Sequence, residues 1–298
     1  MSEISRVSLE ELNAADRKKF VAVLGSIYEH SPWVAEAAAA RRPFKSLAAL
    51  HQSMSDAVLA ADASTALSLL NAHPDLAGKA VRAGTLTIDS TAEQQSAGLH
   101  CLSEGEFKKF EHLNASYREK FGFPFIICVR RHTKDSVLRQ FEVRCGNSPL
   151  DERKMALKEV IRIASLRLSE HVSATDKLRV NGKLSTHVLD TCHGCAAQGV
   201  SLELHELSNE SGSRLVTAGV TNFDGRTEGP LISDRPIPIG RYELRFKIGE
   251  YFARERSNLH DPPFLDIVPV RFSVAEPESH YHVPLLATPW SYSTYRGS

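Results

Sequence analysis

The sequence predicts two domains of different class, an all-α domain followed by an all-β domain. The 298 residues suffice for two domains of ordinary size. Apolar residues recur at helical spacing in the first half, whereas short alternating runs separated by turn residues fill the second. Glycine and proline are also more frequent in the second half. We therefore predict a helical domain over residues 1–172, a polar linker over 173–183 and a β-domain over 184–298.

Composition and charge exclude several classes of function. Basic and acidic side chains balance at 36 each, so neither a nucleic acid nor an anionic membrane is predicted as a partner. No apolar run is long enough to span a bilayer, and the first residues lack the apolar segment of a signal peptide. The five cysteines are scattered, which is typical of a reducing compartment, so we expect a cytoplasmic location.

Helices in the first half are predicted from apolar spacing and from capping signals. Ser8 opens a capping pattern, after which one helix is expected to run through Phe20 and Leu24 to Ile27. The same criteria predict further helices over residues 44–60, 62–72, 104–121 and 151–172. This succession of helices, with no alternating run between them, predicts an all-α domain.

Strands in the second half are predicted from the alternation of apolar and polar residues. The runs lie at residues 185–190, 201–207, 215–221 and 242–246. Residues 222–226 form a turn, and residues 263–274 are expected to form two strands interrupted at Pro269. The aromatic, β-prone stretch 279–298 is expected to dock into a sheet or a subunit interface. Strands this short predict a sandwich or a barrel.

Polar residues of the helical half form a candidate site, although each also has a structural interpretation. Pro74 disfavours helical geometry at His73, so this histidine lies just past a helix end, either facing a cleft or as an ordinary loop residue. Ser90 and Glu93 have the spacing of a capping box. Arg167 lies at or near the apolar face of its helix, where it either snorkels to the surface or clamps an anion.

A second set of polar residues occurs in the β-half. His187 lies in an alternating run, where a histidine is as often structural as functional, and Arg226 ends the predicted turn. His280 and His282 are two residues apart and therefore project from the same face of a strand. Such a pair could form the edge of a metal site, but no third ligand stands beside it at metal spacing. We therefore predict no bound metal.

Cys192 and Cys195 flank a histidine and a glycine in a pattern that looks like a redox or metal motif. The pattern follows directly after the first predicted strand of the β-half, where Gly194 would serve a bend. The bend is the favoured interpretation.

Four motifs follow one another along the helical half. They are His-Pro-Asp-Leu-Ala-Gly from residue 73, Ser-Thr-x-Glu-Gln-x-x-Ala-Gly-Leu from 90, Phe-Gly-Phe-Pro-Phe-Ile from 121 and Ile-Ala-x-x-Arg-Leu from 163. Together they resemble the 2-oxo-4-hydroxy-4-carboxy-5-ureidoimidazoline (OHCU) decarboxylases, over residues 9–170. The resemblance implies a helical cleft in which His73 and Glu93 are catalytic and Arg167 binds the substrate. It also implies that the pocket is lined by Pro74, Ser90, Gln94 and Phe125.

A second group of motifs runs through the β-half. They are Thr-His-Val-Leu-Asp from residue 186, Thr-Asn-x-Asp-Gly-Arg from 221, His-Tyr-His-Val-Pro-Leu-Leu from 280 and the closing Tyr-Arg-Gly-Ser from 295. They resemble the 5-hydroxyisourate (HIU) hydrolases, which are related to transthyretin. The resemblance implies a transthyretin-like β-sandwich that assembles into a homotetramer, with active sites at the dimer–dimer interface. It assigns catalysis to His187, Arg226 and His282, and closure of the site to Ser293, Tyr295 and Arg296.

Two functions are compatible with these motifs. The first is a bifunctional enzyme of urate degradation that hydrolyses HIU to OHCU and decarboxylates OHCU stereoselectively to (S)-allantoin, without metal or organic cofactor. The second is a transthyretin-like ligand carrier or scaffold with a helical adaptor domain. We predict the enzyme, because a carrier channel needs neither a His–Arg–His set nor a His–Glu pair. Relatives of this kind often carry peroxisomal signals, so the peroxisome is the alternative to the cytoplasm.

Overall fold

The computed structural model describes residues 6–78, 87–209, 212–255 and 259–297. The chain forms two compact units. The helical unit contains the residues up to Arg130 together with Val137–Val180, and the β unit contains Arg131–Ser136 and the residues from Asn181 onward. The units divide inside the stretch predicted as a linker. No sequence pattern indicates that the short segment Arg131–Ser136 belongs to the β unit.

The described part of the N-terminal half is helical apart from two short strands. Its elements are β1 (Val7–Ser8), α1 (Leu9–Ala14), α2 (Arg17–Leu24), α3 (Trp33–Ala39), α4 (Leu47–Leu59), α5 (Ala63–Asn71), α6 (Ile88–Ser96), α7 (Glu104–Phe121), α8 (Lys134–Arg144), α9 (Pro149–His171) and β2 (Val172–Ser173). β1 and β2 pair in parallel, with Val7 beside Val172, and so join the start of α1 to the end of α9.

Side-chain caps explain where several of these helices begin. The Glu11 amide donates to Ser8 Oγ at 3.1 Å, which completes the capping pattern predicted for α1. The prediction of one continuous helix up to Ile27 is wrong, because the chain leaves helical geometry at Ala15. Asp16 then starts α2 by accepting a hydrogen bond from the Lys19 amide at 2.7 Å.

Other elements differ from the prediction for identifiable reasons. α3 was not predicted because its alanine-rich sequence has little apolar–polar contrast, and α8 was missed because it is largely charged. The cap of α6 is Thr87, whose side chain accepts from the Ser90 amide at 3.3 Å. The capping-box interpretation of Ser90 and Glu93 is therefore wrong, and both side chains are available for other contacts.

The segment between α7 and α8 forms one wall of the interior. Phe125 stacks on Phe141 with ring centroids 3.9 Å apart, and Tyr117 meets Phe125 edge-on at 5.3 Å. The Cys128 amide donates to the buried carboxylate of Glu159 on α9 at 2.9 Å. The aromatic contacts and this hydrogen bond hold the segment between α7 and α8 in place next to α9.

The second unit is built mainly from strands. Its elements are β3 (Lys183–Ser185), β4 (Val188–Asp190), β5 (Cys195–Ala196), β6 (Ser201–Ser208), β7 (Gly212–Val220), β8 (Gly240–Lys247), α10 (Ile248–Glu255), β9 (Ile267–Val274), β10 (His280–His282), β11 (Leu285–Ala287) and β12 (Tyr292–Thr294). One sheet has the order β12-β11-β4-β5 and another the order β7-β6-β8-β9, with a separate β10–β3 pair. This is the sandwich that the short alternating runs predict.

Three details of the β unit depart from the prediction. The expected strand over residues 185–190 is divided into β3 and β4, with Thr186 and His187 between them. The expected pair of strands over residues 263–274 is the single strand β9, which tolerates Pro269 because it lies at the edge of its sheet. The helix α10 between β8 and β9 was not predicted.

Each unit has its own apolar core. In the β unit, Leu204 on β6, Leu244 and Phe246 on β8 and Leu285 on β11 are fully buried. In the helical unit, α9 contributes the buried Val160 and Leu168 to its core. Among the described residues, no helix is both long and apolar enough to cross a membrane.

Candidate active sites

The first candidate site is a cavity in the helical unit. It is lined by His73, Pro74, Leu76, Ser90, Glu93, Gln94, Phe125, Ile126, Ile127, Val129, Ile163 and Arg167. Every residue that the sequence analysis assigned to the OHCU site is among them. They come from the end of α5, from α6, from the wall before α8 and from α9, so the fold brings together positions up to 94 residues apart (73 to 167).

His73 lies directly after the end of α5 and is 7% exposed, so it is not an ordinary surface loop residue. Its Nδ1 is 3.0 Å from the Leu69 carbonyl oxygen. Because a carbonyl only accepts, Nδ1 carries the hydrogen and Nε2 carries the lone pair. Burial lowers the pKa of His73 to about 4, opposed by the Leu69 hydrogen bond. At neutral pH the imidazole is therefore an uncharged proton acceptor.

Helix α6 presents Ser90, Glu93 and Gln94 on one face, as expected for positions three and four residues apart. The Gln94 side-chain oxygen accepts a hydrogen bond from the Ala77 amide at 2.9 Å. The Gln94 amide nitrogen is therefore the part of this side chain left for a ligand. Ala77 has a positive φ of 52°, and this hydrogen bond helps to hold that backbone conformation next to His73.

Arg167 does not snorkel to the surface. It is 2% exposed, and its guanidinium faces two carboxylates. Nε and Nη2 bind the two oxygens of Glu93 at 2.8 and 2.9 Å, and Nη1 binds Glu29 at 2.8 Å. Burial raises the pKa of Glu93, and hydrogen bonding and charge from Arg167 oppose that rise. The Glu93 carboxyl group therefore holds a proton more readily than an exposed glutamate does.

Sequence reasoning missed Glu29, which lies in the bend after α2 and is 3% exposed. Its carboxylate accepts from Thr87 Oγ1 at 2.7 Å and from Ser90 Oγ at 3.2 Å, in addition to Arg167. No motif surrounds it, and its contact with Arg167 joins positions 138 residues apart. Only the structure could have found it. We call Glu29, Ser90, Glu93 and Arg167 the Arg167 cluster.

The second candidate site lies in the β unit and begins with the turn that carries Arg226. Asn222 Oδ1 accepts hydrogen bonds from the Asp224 and Arg226 amides at 3.0 and 3.2 Å. Gly225 has a φ of 72°, and a Cβ there would lie 2.3 Å from the Val188 carbonyl oxygen and 3.2 Å from His187 Cδ2. Only glycine permits this approach, which fixes Arg226 beside His187.

The histidines of this site stand at the ends of adjacent short strands. His187 lies between β3 and β4, and His282 ends β10, which pairs with β3. Ser185 Oγ is 2.9 Å from His280 Nε2 and 3.0 Å from His282 Nδ1, so both rings point to one side, as their spacing predicts. Sequence reasoning missed Ser185. Because it engages His282 Nδ1, Nε2 is the ring nitrogen of His282 left for chemistry.

The electrostatics of the two histidines link them to Arg226. Burial and then the charge of Arg226 lower the pKa of His187. Burial, Arg226, His187 and His280 lower the pKa of His282 in the same way. Both imidazoles are therefore neutral and basic at neutral pH. We call His187, Arg226 and His282 the His–Arg cluster.

The C-terminal stretch is ordered in the sheet as far as residue 297. β12 pairs with β11, with Ser293 opposite Leu286, and the Gly297 amide donates to the His282 carbonyl at 2.9 Å. The Arg296 guanidinium stacks over the Tyr281 ring at 4.7 Å. The side chains assigned to site closure are exposed in a single protomer, namely Ser293, Tyr295 and Arg296. Ser298 lies outside the described residues.

The Cys-His-Gly-Cys segment forms the bend after β4. Asp190 accepts hydrogen bonds from the Cys192 and His193 amides and from His193 Nδ1, at 2.8, 3.0 and 2.6 Å. Gly194 has a φ of 71°, as the bend requires. None of the five cysteines, all within the described ranges, is in a disulfide, and the described residues contain no cluster of three metal-ligating side chains.

Comparisons with known proteins agree with this division. Residues 13–169 match the family model for OHCU decarboxylase, and residues 184–297 match that for the HIUase/transthyretin family. The chain is 43% identical over 168 residues to 2-oxo-4-hydroxy-4-carboxy-5-ureidoimidazoline decarboxylase of Haloferax volcanii. The aligned region covers 56% of this chain and 98% of that protein. The chain is also 48% identical over 118 residues to 5-hydroxyisourate hydrolase 2 of Rhizobium meliloti, and this alignment covers 40% of the chain and 98% of that protein.

One solved structure is similar over both units. The crystal structure of an (S)-allantoin synthase is 38% identical, covers 98% of this chain and 100% of its own, and has a TM-score of 0.52. The cavity of the helical unit and the His–Arg cluster of the β unit thus lie in the two matched regions. The chain belongs to the OHCU decarboxylase family through its helical unit and to the HIUase/transthyretin family through its β unit.

Proposed function

We propose that the chain is a bifunctional enzyme of urate degradation. The β unit hydrolyses HIU to OHCU, and the helical unit decarboxylates OHCU to (S)-allantoin. The observation that carries the proposal is the presence of two separate sites, the cavity of the helical unit and the His–Arg cluster of the β unit, in the two regions that match the families of these activities. Each site contains an arginine and at least one uncharged histidine. The product of the first reaction is the substrate of the second, so fusion places consecutive steps on one chain.

Decarboxylation requires a proton to be removed and another to be added. The bond between the ring carbon and its carboxylate breaks, and the electron pair moves into the adjacent carbon–nitrogen double bond of the imidazoline. We assign to His73 Nε2 the removal of the hydroxyl proton, because this nitrogen carries a lone pair at neutral pH. The protonated His73 then gives this proton to the ring nitrogen that received the electron pair, so that the reaction consumes one proton overall. We assign to Glu93 the delivery of a proton to one face of the carbon that bears the ureido group. Arg167 orients Glu93 and binds the anionic substrate.

Hydrolysis of HIU requires an activated water and a stabilised oxyanion. One neutral histidine of the His–Arg cluster takes a proton from water, whose oxygen then bonds to the ring carbonyl carbon. Arg226 stabilises the negative oxygen that forms. The ring carbon–nitrogen bond breaks, and the protonated histidine returns its proton to the departing nitrogen. The charge of His187, when protonated, also lowers the pKa of His282.

We further propose that the β unit assembles into a homotetramer. Several large apolar side chains of the β unit are exposed in the protomer, among them Val220, Phe223, Trp290 and Tyr295. Exposed apolar surface of this kind is typical of an interaction face. Sedimentation velocity is expected to give a mass of four chains. For the compartment we propose the cytoplasm, with the peroxisome as the alternative, supported by the small number of cysteines.

A ligand carrier remains the competing proposal, and one experiment separates the two. Urate and urate oxidase are mixed with the protein, and circular dichroism follows the optical activity of the allantoin formed. An enzyme gives (S)-allantoin faster than the uncatalysed reaction, whereas racemic allantoin at the uncatalysed rate would support the carrier. Deletion of Tyr295–Ser298 should abolish HIU hydrolysis and spare decarboxylation, which is assayed with a separate HIU hydrolase supplying OHCU.

A further inference from the structure

Glu29 is a buried carboxylate that does not line the cavity, although it contacts residues that do. Its Oε1 accepts from Thr87 Oγ1 at 2.7 Å. Its Oε2 accepts from Ser90 Oγ at 3.2 Å and from Arg167 Nη1 at 2.8 Å. These partners belong to the cap of α6, the first turn of α6 and α9. The carboxylate therefore connects the bend after α2 to both helices that supply the cavity with its polar groups.

Arg167 is shared by two carboxylates that differ in their access to the cavity. Glu93 binds Nε and Nη2 and lines the cavity, whereas Glu29 binds Nη1 and does not. If both carboxylates were ionised, two negative charges against one positive charge would leave a net charge of −1 beside an anionic substrate. One permanently ionised carboxylate balances the guanidinium, and the other can then hold a proton.

The surroundings of the two carboxylates favour Glu29 as the permanently ionised group and Glu93 as the group that can hold a proton. Burial tends to raise the pKa of Glu29, but Arg167, the Thr87 hydrogen bond and His73 outweigh it and lower that pKa. Burial raises the pKa of Glu93, and the negative charge of Asp89 adds a smaller rise. Arg167 and Arg130 oppose this rise. Two carboxyl groups driven apart in pKa by their environments are the usual arrangement of an acid–base site.

We propose that Glu29 is a positioning residue of the decarboxylase site, which supplies the permanent counter-charge of Arg167 and thereby leaves Glu93 able to exchange a proton with the substrate. This proposal rests on the proposed decarboxylase function of the helical unit. Glu29 does not touch the substrate and acts through Arg167 and Ser90. In each turnover the proton moves from the Glu93 carboxyl group to the substrate carbon, and Glu93 is reprotonated from solvent.

The first test uses the unmodified chain and needs no activity. Carboxyl carbon NMR, with the Glu93 signal assigned from Glu93→Gln and the Glu29 signal from Glu29→Asp, follows both groups as pH is varied. We expect Glu29 to stay ionised well below the pH at which Glu93 takes up its proton. The reverse order of titration would overturn the proposal, even if the chain decarboxylates OHCU as proposed.

The second test is Glu29→Gln, which removes the charge and keeps the size of the side chain. Glu93 is then the only carboxylate of this cluster that faces Arg167, so the pKa of Glu93 falls. The limb of the kcat–pH profile that reports the titration of Glu93 therefore moves to lower pH. This direction is the same whether Glu93 acts as an acid or as a base. We expect kcat to fall by up to about a hundredfold with little change in KM. Glu29→Asp keeps the charge and should restore the position of the limb.

Glu106→Gln is the matched control, because Glu106 is a buried carboxylate of α7 outside the cavity. It should leave kcat and the pH profile unchanged. A Glu29→Gln enzyme that loses thermal stability but keeps the wild-type profile would reduce Glu29 to a structural residue and overturn the proposal. If the wild-type chain itself does not act on OHCU, the proposed function fails, and the NMR titration still decides the role of Glu29.

Discussion

The two sites place an arginine beside titratable groups in opposite surroundings. Arg167 is 2% exposed and is held by the side chains of Glu29 and Glu93, whereas Arg226 is exposed and is held by backbone contacts of its turn. In the buried site, charge has to be balanced inside one protomer, so the side chains of the Arg167 cluster also stabilise the fold. In the open site of the β unit, the turn fixes the position of Arg226, so the Arg226 side chain can be substituted at little cost to stability.

The largest expected effect separates the two reactions. Glu93→Gln should lower kcat for OHCU decarboxylation by about 10²- to 10⁴-fold, because the proton donor is lost. Glu29 still neutralises Arg167 in this variant, so we expect only about 1 kcal/mol of lost stability. HIU hydrolysis, measured by ultraviolet absorbance, should not change. A variant that decarboxylates normally would remove Glu93 from the mechanism.

The same substitution at the two arginines tests the contrast directly. Arg167→Gln leaves two buried carboxylates unpaired and should cost about 3–5 kcal/mol of unfolding free energy. Arg226→Gln changes an exposed side chain and should cost no more than about 0.5 kcal/mol. Urea unfolding of the two variants under identical conditions provides the comparison. Equal losses would mean that the buried cluster does not stabilise the helical unit.

His73 makes the stability of the buried site depend on pH. Its pKa is lowered to about 4 in the folded chain, from an ordinary value near 6.5. Below pH 6.5 the unfolded chain therefore binds a proton that the folded chain does not, and stability declines as pH falls from about 6.5 towards 4. We expect His73→Asn to reduce this decline, by an amount on the order of 2–3 kcal/mol.

The control for His73→Asn is His187→Asn, which should alter the pH dependence of stability much less, since His187 is only partly buried. Calorimetric melts of both variants at pH 7 and pH 4.5 measure the difference. Identical pH dependence in the two variants would contradict the distinction between a buried and an open site.

The smallest expected effect concerns the open site. The charge of Arg226 lowers the pKa of both His187 and His282, after burial. Removing that charge in Arg226→Gln should raise both values and move the acid limb of HIU hydrolysis up by as much as about one pH unit. The variant is expected to be slow, so the residual rate is measured at high enzyme concentration. A limb that moves to lower pH would show that Arg226 is not beside the histidines.

The sequence predicted which polar residues line the cavity of the helical unit better than it predicted the contacts among them. Local motifs pointed to His73, Glu93 and Arg167, which line one cavity, because each motif contains the polar residue together with the turn or helix that orients it. Glu29 was missed because it carries no local pattern and meets Arg167 across 138 positions. Ser185 was missed because a serine in a β-run has no distinguishing signal. Both contact a candidate site residue of another element, and pairings of that kind are fixed only by tertiary packing.

The fold shows the same division between local and long-range signals. The helix α7 was predicted with its observed bounds, because strong caps and regular apolar spacing coincide at Glu104–Phe121. The helix α10 was missed, since its eight residues lie between strands and the surrounding alternation dominated the interpretation. The role of Pro269 could be judged only after β9 was known to be an edge strand.

The contact between Gly297 and His282 has a practical meaning for anyone who produces this protein. A Cβ at Gly297 would lie 2.7 Å from His282 Cδ2, and the Gly297 amide is bonded to the His282 carbonyl. An affinity tag fused after residue 298 would begin two residues beyond Gly297 and would crowd His282. We therefore expect a tag placed before residue 1 to disturb the β unit less than a tag placed after residue 298.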